Sequence, residues 1–169
     1  MEFYEVLNKR RSIRKYKTTA VEQDKLDRIL DAARIAPSAK NLQPWHFIVI
    51  RDESVKLALK DAYDKEWFYS APVIVCVCGE LAKAWVRRDG RSYLDVDVAN
   101  AFEHLILAAA AEGLGTCWIG AFDANAVRRT LRLPGGIEPI AMTPIAYPDE
   151  TPRPLVRKSM DEIVHRNGW

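Results

Sequence analysis

A run of six apolar residues, Val73-Ile74-Val75-Cys76-Val77-Cys78, ends at Gly79. Side chains alternate between the two faces of a β-strand, so a run without a polar residue has no face for water. Its length and its β-branched residues favour a strand over a helix. The run therefore predicts a strand buried on both faces, which needs a packed layer on each side.

The rest of the sequence alternates between helical and strand patterns. Apolar residues at helical spacing predict helices over residues 21–35, 55–62, 94–112 and 123–131. Short β-rich runs predict further strands over residues 45–50, 116–119 and 137–147. These elements indicate a mixed fold of two or three layers, and periodicity alone does not separate a parallel Rossmann-like order from an α+β sheet. Neither GxGxxG after the first strand nor GxxxxGK[ST] is present, which excludes the dinucleotide fingerprint and the P-loop.

Several residues mark element boundaries. Thr19 to Glu22 has the capping-box pattern, Asp123 is placed to cap a helix, and Gly113 to end one. Pro139 and Pro144 interrupt the last strand, which predicts that part of it lies at a sheet edge. Residues 80–93 are polar and irregular and are expected to form a mobile connection.

The composition changes after residue 147. Three prolines, Pro148, Pro152 and Pro154, predict a stiff extended arm over residues 147–169, with a short helix begun by a capping box at 159–162. Such an arm needs something to wrap around, and a neighbouring subunit is the simplest candidate. The length of 169 residues predicts a single domain over 1–169.

Composition excludes several classes of protein. No apolar run approaches the roughly 18 residues of a membrane span, and Met1 to Glu5 lacks the order of a signal peptide. Three cysteines without metal-ligand or disulfide spacing fit a reducing cytoplasm, with Cys76 and Cys78 read as buried, inert thiols. The formal net charge of +2 gives no broad basic face, so nucleic acid is not expected as a partner.

Positive charge is concentrated in one stretch. Residues 9–15 contain five cations, so the remaining chain carries +2 − 5 = −3. Arg10, Arg11 and Arg14 have planar guanidinium groups that suit phosphate or carboxylate, and Ser12 adds a hydroxyl. A solvated helix end is the alternative interpretation of such a stretch.

A second segment, residues 36–47, joins a helix end to a strand start. Pro37 and Pro44 fix its backbone, and Ser38, Asn41 and Gln43 supply short hydrogen-bonding groups. A loop stiffened in this way can present backbone and amide groups to a heteroaromatic ring, although it also reads as an ordinary helix-to-strand connection. The nearby residues Asp95 and Asp97 are read as helix-terminus charges.

Four motifs in order carry a resemblance to a known family. They are Arg-Arg-Ser-Ile-Arg-Lys-Tyr at 10–16, Pro-Ser-Ala-Lys-Asn-Leu-Gln-Pro-Trp-His-Phe at 37–47, Gly-Leu-Gly-Thr-Cys-Trp-Ile-Gly-Ala-Phe-Asp at 113–123 and Pro-Leu-Val-Arg-Lys at 154–158. Together they resemble the nitroreductase family of FMN-dependent enzymes over residues 1 to about 165.

The resemblance implies an α+β fold, an α/β/α sandwich with a mainly antiparallel central sheet. It also implies a homodimer with FMN at the interface and a C-terminal arm that crosses to the partner subunit. The FMN phosphate and ribityl chain fall to the first basic motif: Arg10, Arg11, Ser12 and Arg14. Further cations for that phosphate are Arg157 and Lys158. The residues that face the flavin from the partner subunit are Pro37, Ser38, Ala39 and Asn41, and the backbone beside the flavin N5 edge is that of Ile119 and Gly120.

The implied activity is reduction of nitroaromatic or quinone-like acceptors by NADH or NADPH in a ping-pong reaction, with no catalytic side chain. Alternatives are reductive dehalogenation, dehydrogenation of a peptide ring, fragmentation of the flavin, or a non-catalytic module that binds a flavin or another anion. The sequence departs from the family at 66–70, which is aromatic where a polar or basic residue often touches the flavin, and Lys40 is a possible substitute. Residues 80–93 are the only obvious lid material.

Overall fold

The structure is a computed structural model that describes residues 2–152, 154 and 156–169. Met1, Arg153 and Leu155, which belong to the N-terminal, arm and closing-motif predictions, lie outside the described residues.

The central strand β2, Val73–Glu80, has the predicted burial on both faces. Val73, Val75 and Val77 belong to one hydrophobic core, and the alternate side chains of the strand belong to a second. The apolar run is therefore confirmed as an inner strand that separates two cores.

Four strands form one sheet within the described residues, in the order β1-β2-β4-β3. Their bounds are Trp45–Ile50 for β1, Gly115–Thr116 for β3 and Ile137–Ala146 for β4. Each pair of neighbouring strands is antiparallel. The sheet therefore belongs to an α+β fold, and the parallel Rossmann-like alternative is excluded.

Helices cover both faces of the sheet. The first core lies under α2, Gln23–Arg34, and α5, Leu94–Ala111. The second lies under α3, Glu53–Ala58, and α6, Ala124–Leu131, with the short α4, Glu66–Tyr69. A further helix, α1, Phe3–Lys9, packs on α5. The result is the α/β/α sandwich that the resemblance implied.

The two prolines of β4 mark a local irregularity. The register between β2 and β4 shifts after Val77, so that Cys78 lies opposite Pro139 and one residue of β4 bulges. On its other side, β4 meets β3 only at Ile145 and Ala146, within the described residues. Part of β4 is thus a sheet edge, although its place in the strand order is internal.

Two boundary predictions were wrong. The capping box at Thr19 does not form, because α2 begins at Gln23 with Glu22 at its N-cap. The strand predicted at 116–119 ends at Thr116, where the N–H of Cys117 donates to the Thr143 hydroxyl at 3.1 Å instead of extending a ladder.

The expected mobile connection is instead folded back on itself. Residues Leu81–Lys83 form a 3-10 turn, Val86 pairs with Ser92, and the rings of Trp85 and Tyr93 meet edge to face at 4.8 Å.

Two capping predictions are confirmed. Asp123 accepts from two N–H groups at the start of α6, and the capping box at Ser159 begins α7, Met160–Ile163. The side chains described from residue 156 onward are exposed. None of the described helices has the length and hydropathy of a membrane span.

Candidate functional site

The segment between α1 and α2 is held against the sheet by backbone hydrogen bonds. The N–H of Ile13 donates to the Thr116 carbonyl at 2.9 Å, and that of Lys17 donates to the Tyr147 carbonyl at 2.9 Å. Gly115 permits this approach, because a Cβ there would lie 3.0 Å from the Ile13 side chain. The basic stretch is thereby fixed beside the point at which the chain leaves the sheet.

The basic stretch at 9–15 and Arg157 of the C-terminal arm meet around one cavity of about 570 Å³, here called the arginine cleft. Four of its lining residues are arginines from the two ends of the chain: Arg10, Arg11, Arg14 and Arg157. The other lining residues are Ser12, Glu150, Thr151 and Pro152. Of the residues predicted for the phosphate, only Lys158 does not line this cavity; it lies exposed on the arm.

The positive charge of the arginine cleft is largely unmatched. None of the ion pairs found among the described residues includes one of its four guanidinium groups. Arg11 donates to the carbonyl oxygens of Asn8 and Arg10, and Arg157 to that of Val156. A phosphate monoester carries about −1.5 to −2 charge and three acceptor oxygens. The donor set of the cleft therefore fits the phosphate of FMN.

One carboxylate lies inside this positive cleft. Glu150 accepts a hydrogen bond from the backbone N–H of Arg14 at 2.5 Å, which ties the chain after β4 to the basic stretch. Its negative charge opposes an incoming phosphate, so Glu150 limits how tightly the cleft holds a bare anion.

The substitution Glu150→Gln is expected to tighten binding of inorganic phosphate about threefold to tenfold at low salt, because it removes this repulsion. The glutamine carbonyl can still accept from the Arg14 N–H. Calorimetric titration of both proteins with phosphate measures the effect. Equal affinities would mean that the carboxylate does not face the bound anion.

Two ionisable groups beside the cleft stay neutral, the half-buried Tyr16 and the buried Cys117. Burial raises the pKa of the Tyr16 phenol, whose hydroxyl donates to the Ile13 carbonyl. Burial likewise raises the pKa of the Cys117 thiol. Neither group is prepared to act as a nucleophile at neutral pH.

The segment at 37–43, here called the proline-serine loop, does not line the arginine cleft of its own chain. Ser38 accepts a hydrogen bond from the Gln43 N–H at 2.9 Å, and the N–H of Ala39 donates to Asp97 at 2.9 Å. Lys40 is exposed, so its suggested role beside a flavin stays a prediction.

Ile119 and Gly120 follow β3. Ile119 is buried and exchanges two backbone hydrogen bonds with Met142, whereas Gly120 is exposed. The preceding Trp118 is partly exposed and contacts the ring of Phe102, with centroids 4.2 Å apart. The backbone at Gly120 is therefore accessible at the end of a rigid bridge.

A second cavity, here called the apolar groove, lies between α1, α2 and α5 and measures about 610 Å³. Pro37 contributes to its lining, which links this surface to the proline-serine loop. Other lining residues are Phe3, Ile35, His104, Leu107 and Ala108. Phe3 and Ile35 are largely exposed, which leaves an uncovered apolar surface on the single chain.

Sequence reasoning missed two carboxylates. Glu150 stands in a proline-rich stretch without periodicity, so no sequence pattern marked it. Asp97 was read as a helix-terminus charge, whereas its side chain is buried and bonded to the proline-serine loop. Its position three residues after Leu94 and four before Ala101, on the apolar face of α5, was the signal available for its burial.

Comparisons of the sequence and the structure with known proteins all indicate the same family. The sequence model of the Nitroreductase family matches residues 7–67 and 53–147. A relative from Methanothermobacter thermautotrophicus, whose name pairs NADH dehydrogenase with NAD(P)H nitroreductase, is 33% identical and covers 100% of this chain and 88% of its own. A nitroreductase family protein from Clostridium difficile 630 has a TM-score of 0.91 at 34% identity, covering 100% of both chains. An FMN-dependent nitroreductase from Clostridium difficile R20291 has a TM-score of 0.81 at 31% identity, covering 97% of this chain and 98% of its own.

Proposed function

Because the chain belongs to the nitroreductase family, we propose that it binds FMN in the arginine cleft and uses NADH or NADPH to reduce small electron-poor acceptors. Nitroaromatics and quinones are the acceptor classes proposed. Donor and acceptor occupy one site in turn, which gives ping-pong kinetics.

The observation that carries the proposal is the convergence of arginines from both ends of the chain on one cavity. Arg10, Arg14 and Arg157 line it together, although Arg157 is more than 140 residues from the first two. Unpaired guanidinium groups repel one another, and a bound dianion relieves that repulsion. A generic charged helix end does not need this arrangement.

FMN, when bound, supplies the hydride chemistry, and the protein supplies binding, orientation and exclusion of water. The arginine cleft anchors the phosphate, with Ser12 as a neutral donor. The exposed backbone at Gly120 offers hydrogen-bonding groups to the ring. No acid or base side chain is assigned a step.

We propose a second copy of the chain as the occupant of the apolar groove. Support comes from the exposed apolar side chains of α1 and α2, and from Pro37, which joins the groove to the proline-serine loop. Pairing about a twofold axis covers the groove on both copies and brings each loop to the other's cleft. The exposed arm extends this contact.

Purified protein of residues 1–169 tests the proposal. Expected results are a yellow colour with flavin absorbance, a native mass of two chains with one FMN per chain, and NADH or NADPH oxidation that depends on nitrofurazone or menadione. A colourless protein that ignores added FMN favours a non-catalytic anion-binding module. Bound flavin without turnover of either acceptor favours another flavin reaction.

FMN is expected to raise the melting temperature of flavin-stripped protein, because it binds the folded state and neutralises the arginine cleft. At a hundred times Kd the stabilisation is about 2.7 kcal/mol. Thermal melts with increasing FMN measure the shift, and riboflavin, which lacks the phosphate, is the matched control. Equal melting with and without FMN contradicts the site.

A further inference from the structure

We propose that Asp97 is a positioning residue that holds the proline-serine loop in the conformation needed to receive FMN. The inference rests on the proposed function, in which this loop faces the flavin bound to the other copy. Asp97, a buried carboxylate on α5, thereby affects cofactor affinity without touching the cofactor.

The loop has a strained backbone. Three of its residues have left-handed φ angles, 51° at Lys40, 56° at Asn41 and 48° at Gln43, and none is glycine. Such conformations are unfavourable for residues other than glycine and persist only where their surroundings impose them. The bond from the Gln43 N–H to Ser38 supplies part of the hold from within the loop, and contacts with the rest of the fold supply the remainder.

Two side chains on one face of α5 supply that hold. Asp97 accepts a hydrogen bond from the Ala39 N–H at 2.9 Å, and Asn100 donates to the Pro37 carbonyl at 3.5 Å. The two residues are three apart and so lie on the same side of the helix. The Asp97 bond is the shorter of the two, and charge-assisted bonds of this kind are about twice as strong as neutral ones.

Among the described residues, the Ala39 N–H is the one hydrogen-bond donor to the Asp97 side chain. Its residue is only 2% exposed, and its Oδ2 atom has no hydrogen-bond partner in the part of the chain that the structure describes. Burial of a carboxylate with one oxygen unpaired is unfavourable, even in the first turn of a helix, where the dipole offsets part of the cost. The hydrogen bond to the Ala39 N–H is therefore the interaction that compensates for burial of the Asp97 carboxylate.

A purely structural role makes a different prediction. If Asp97 only stabilises the fold, its loss lowers the melting temperature and leaves FMN affinity unchanged in the molecules that remain folded. If it positions the loop, affinity falls beyond what the loss of stability explains. An acceptor without charge then restores most of the affinity.

The test is a fluorescence titration of flavin-stripped protein of residues 1–169 with FMN. Asp97→Ala is expected to raise Kd at least tenfold, and Asp97→Asn, which keeps an acceptor for the Ala39 N–H, to stay within threefold of wild type. The exposed neighbour Asp95→Ala controls for helix-terminus charge. Val127→Ala, in the second core, controls for lost stability, since it lowers the melting temperature without changing Kd.

A second variant approaches the same bond from the loop. Ala39→Pro removes the donor N–H; proline is tolerated at the first position of the turn that begins there, and Ser38 before it is already extended. In the protein that keeps Asp97, this change is expected to weaken FMN binding about as much as Asp97→Ala does. In the Asp97→Ala background it adds less than twofold, as required of two residues that act through one bond.

Several results overturn the inference. They are an Asp97→Ala protein that binds FMN within threefold of wild type, an Asp97→Asn protein as weak as Asp97→Ala, or losses that simply multiply in the double variant. Wild-type protein that binds no FMN contradicts the proposed function itself, whereas wild-type binding with unaffected Asp97 variants contradicts this inference alone.

Discussion

Replacing Arg10 and Arg11 together with alanine is expected to yield a folded protein without bound FMN. Each charge-assisted hydrogen bond to phosphate contributes about 1.5–3 kcal/mol. Two of them account for about 3–6 kcal/mol, which corresponds to Kd values roughly 10² to 10⁴ times weaker. The fold tolerates the change because both side chains line an open cleft and neither takes part in an ion pair of the described residues.

Flavin content per chain and a fluorescence titration measure this effect. The control is Lys60→Ala with Arg129→Ala, which removes the same charge from exposed residues that do not line the arginine cleft. Riboflavin separates loss of the phosphate site from loss of the ring site, since its affinity is expected to change much less. Full FMN retention in the Arg10 and Arg11 variant shows that the phosphate binds elsewhere.

The elements of this fold that could be predicted from sequence are those defined by local patterns. The apolar run of β2 implied two cores without any knowledge of its partners, because burial on both faces follows from the alternation of side chains. Asp123 and Ser159 also identified their helix starts from local sequence, since a cap acts within three residues. Thr19 did not, because α2 begins four residues after it, at Gln23, with Glu22 at the N-cap.

The candidate site depends on contacts between distant parts of the chain. The basic stretch was visible, but its meeting with Arg157 depends on Ile13 pairing with Thr116 and Lys17 with Tyr147, which no single segment encodes. The family resemblance supplied that meeting, and composition did not. The folded form of residues 80–93 was missed because the Trp85–Tyr93 contact closes a loop whose residues are polar at most other positions.

Replacing Ile35 with glutamate is expected to convert a dimer into monomers that bind FMN weakly. Ile35 is 62% exposed on the single chain, so a glutamate there costs the isolated fold little. In a dimer that covers the apolar groove, the carboxylate is moved from water to a mainly apolar surface that includes Phe3 and Leu107, which costs several kcal/mol. Twofold symmetry places the substitution on both sides of the interface, so each dimer bears this cost twice.

Native mass and flavin content, measured over a range of protein concentrations, report the two effects together. Leu57→Glu is the matched control, because Leu57 is 59% exposed on α3 and lies outside the apolar groove. If the proline-serine loop reaches the cofactor only from the second copy, FMN affinity falls in step with the fraction of monomer. Monomers of Ile35→Glu that keep wild-type FMN affinity would show that each chain holds its cofactor alone. An unchanged dimer would place the seam on another surface.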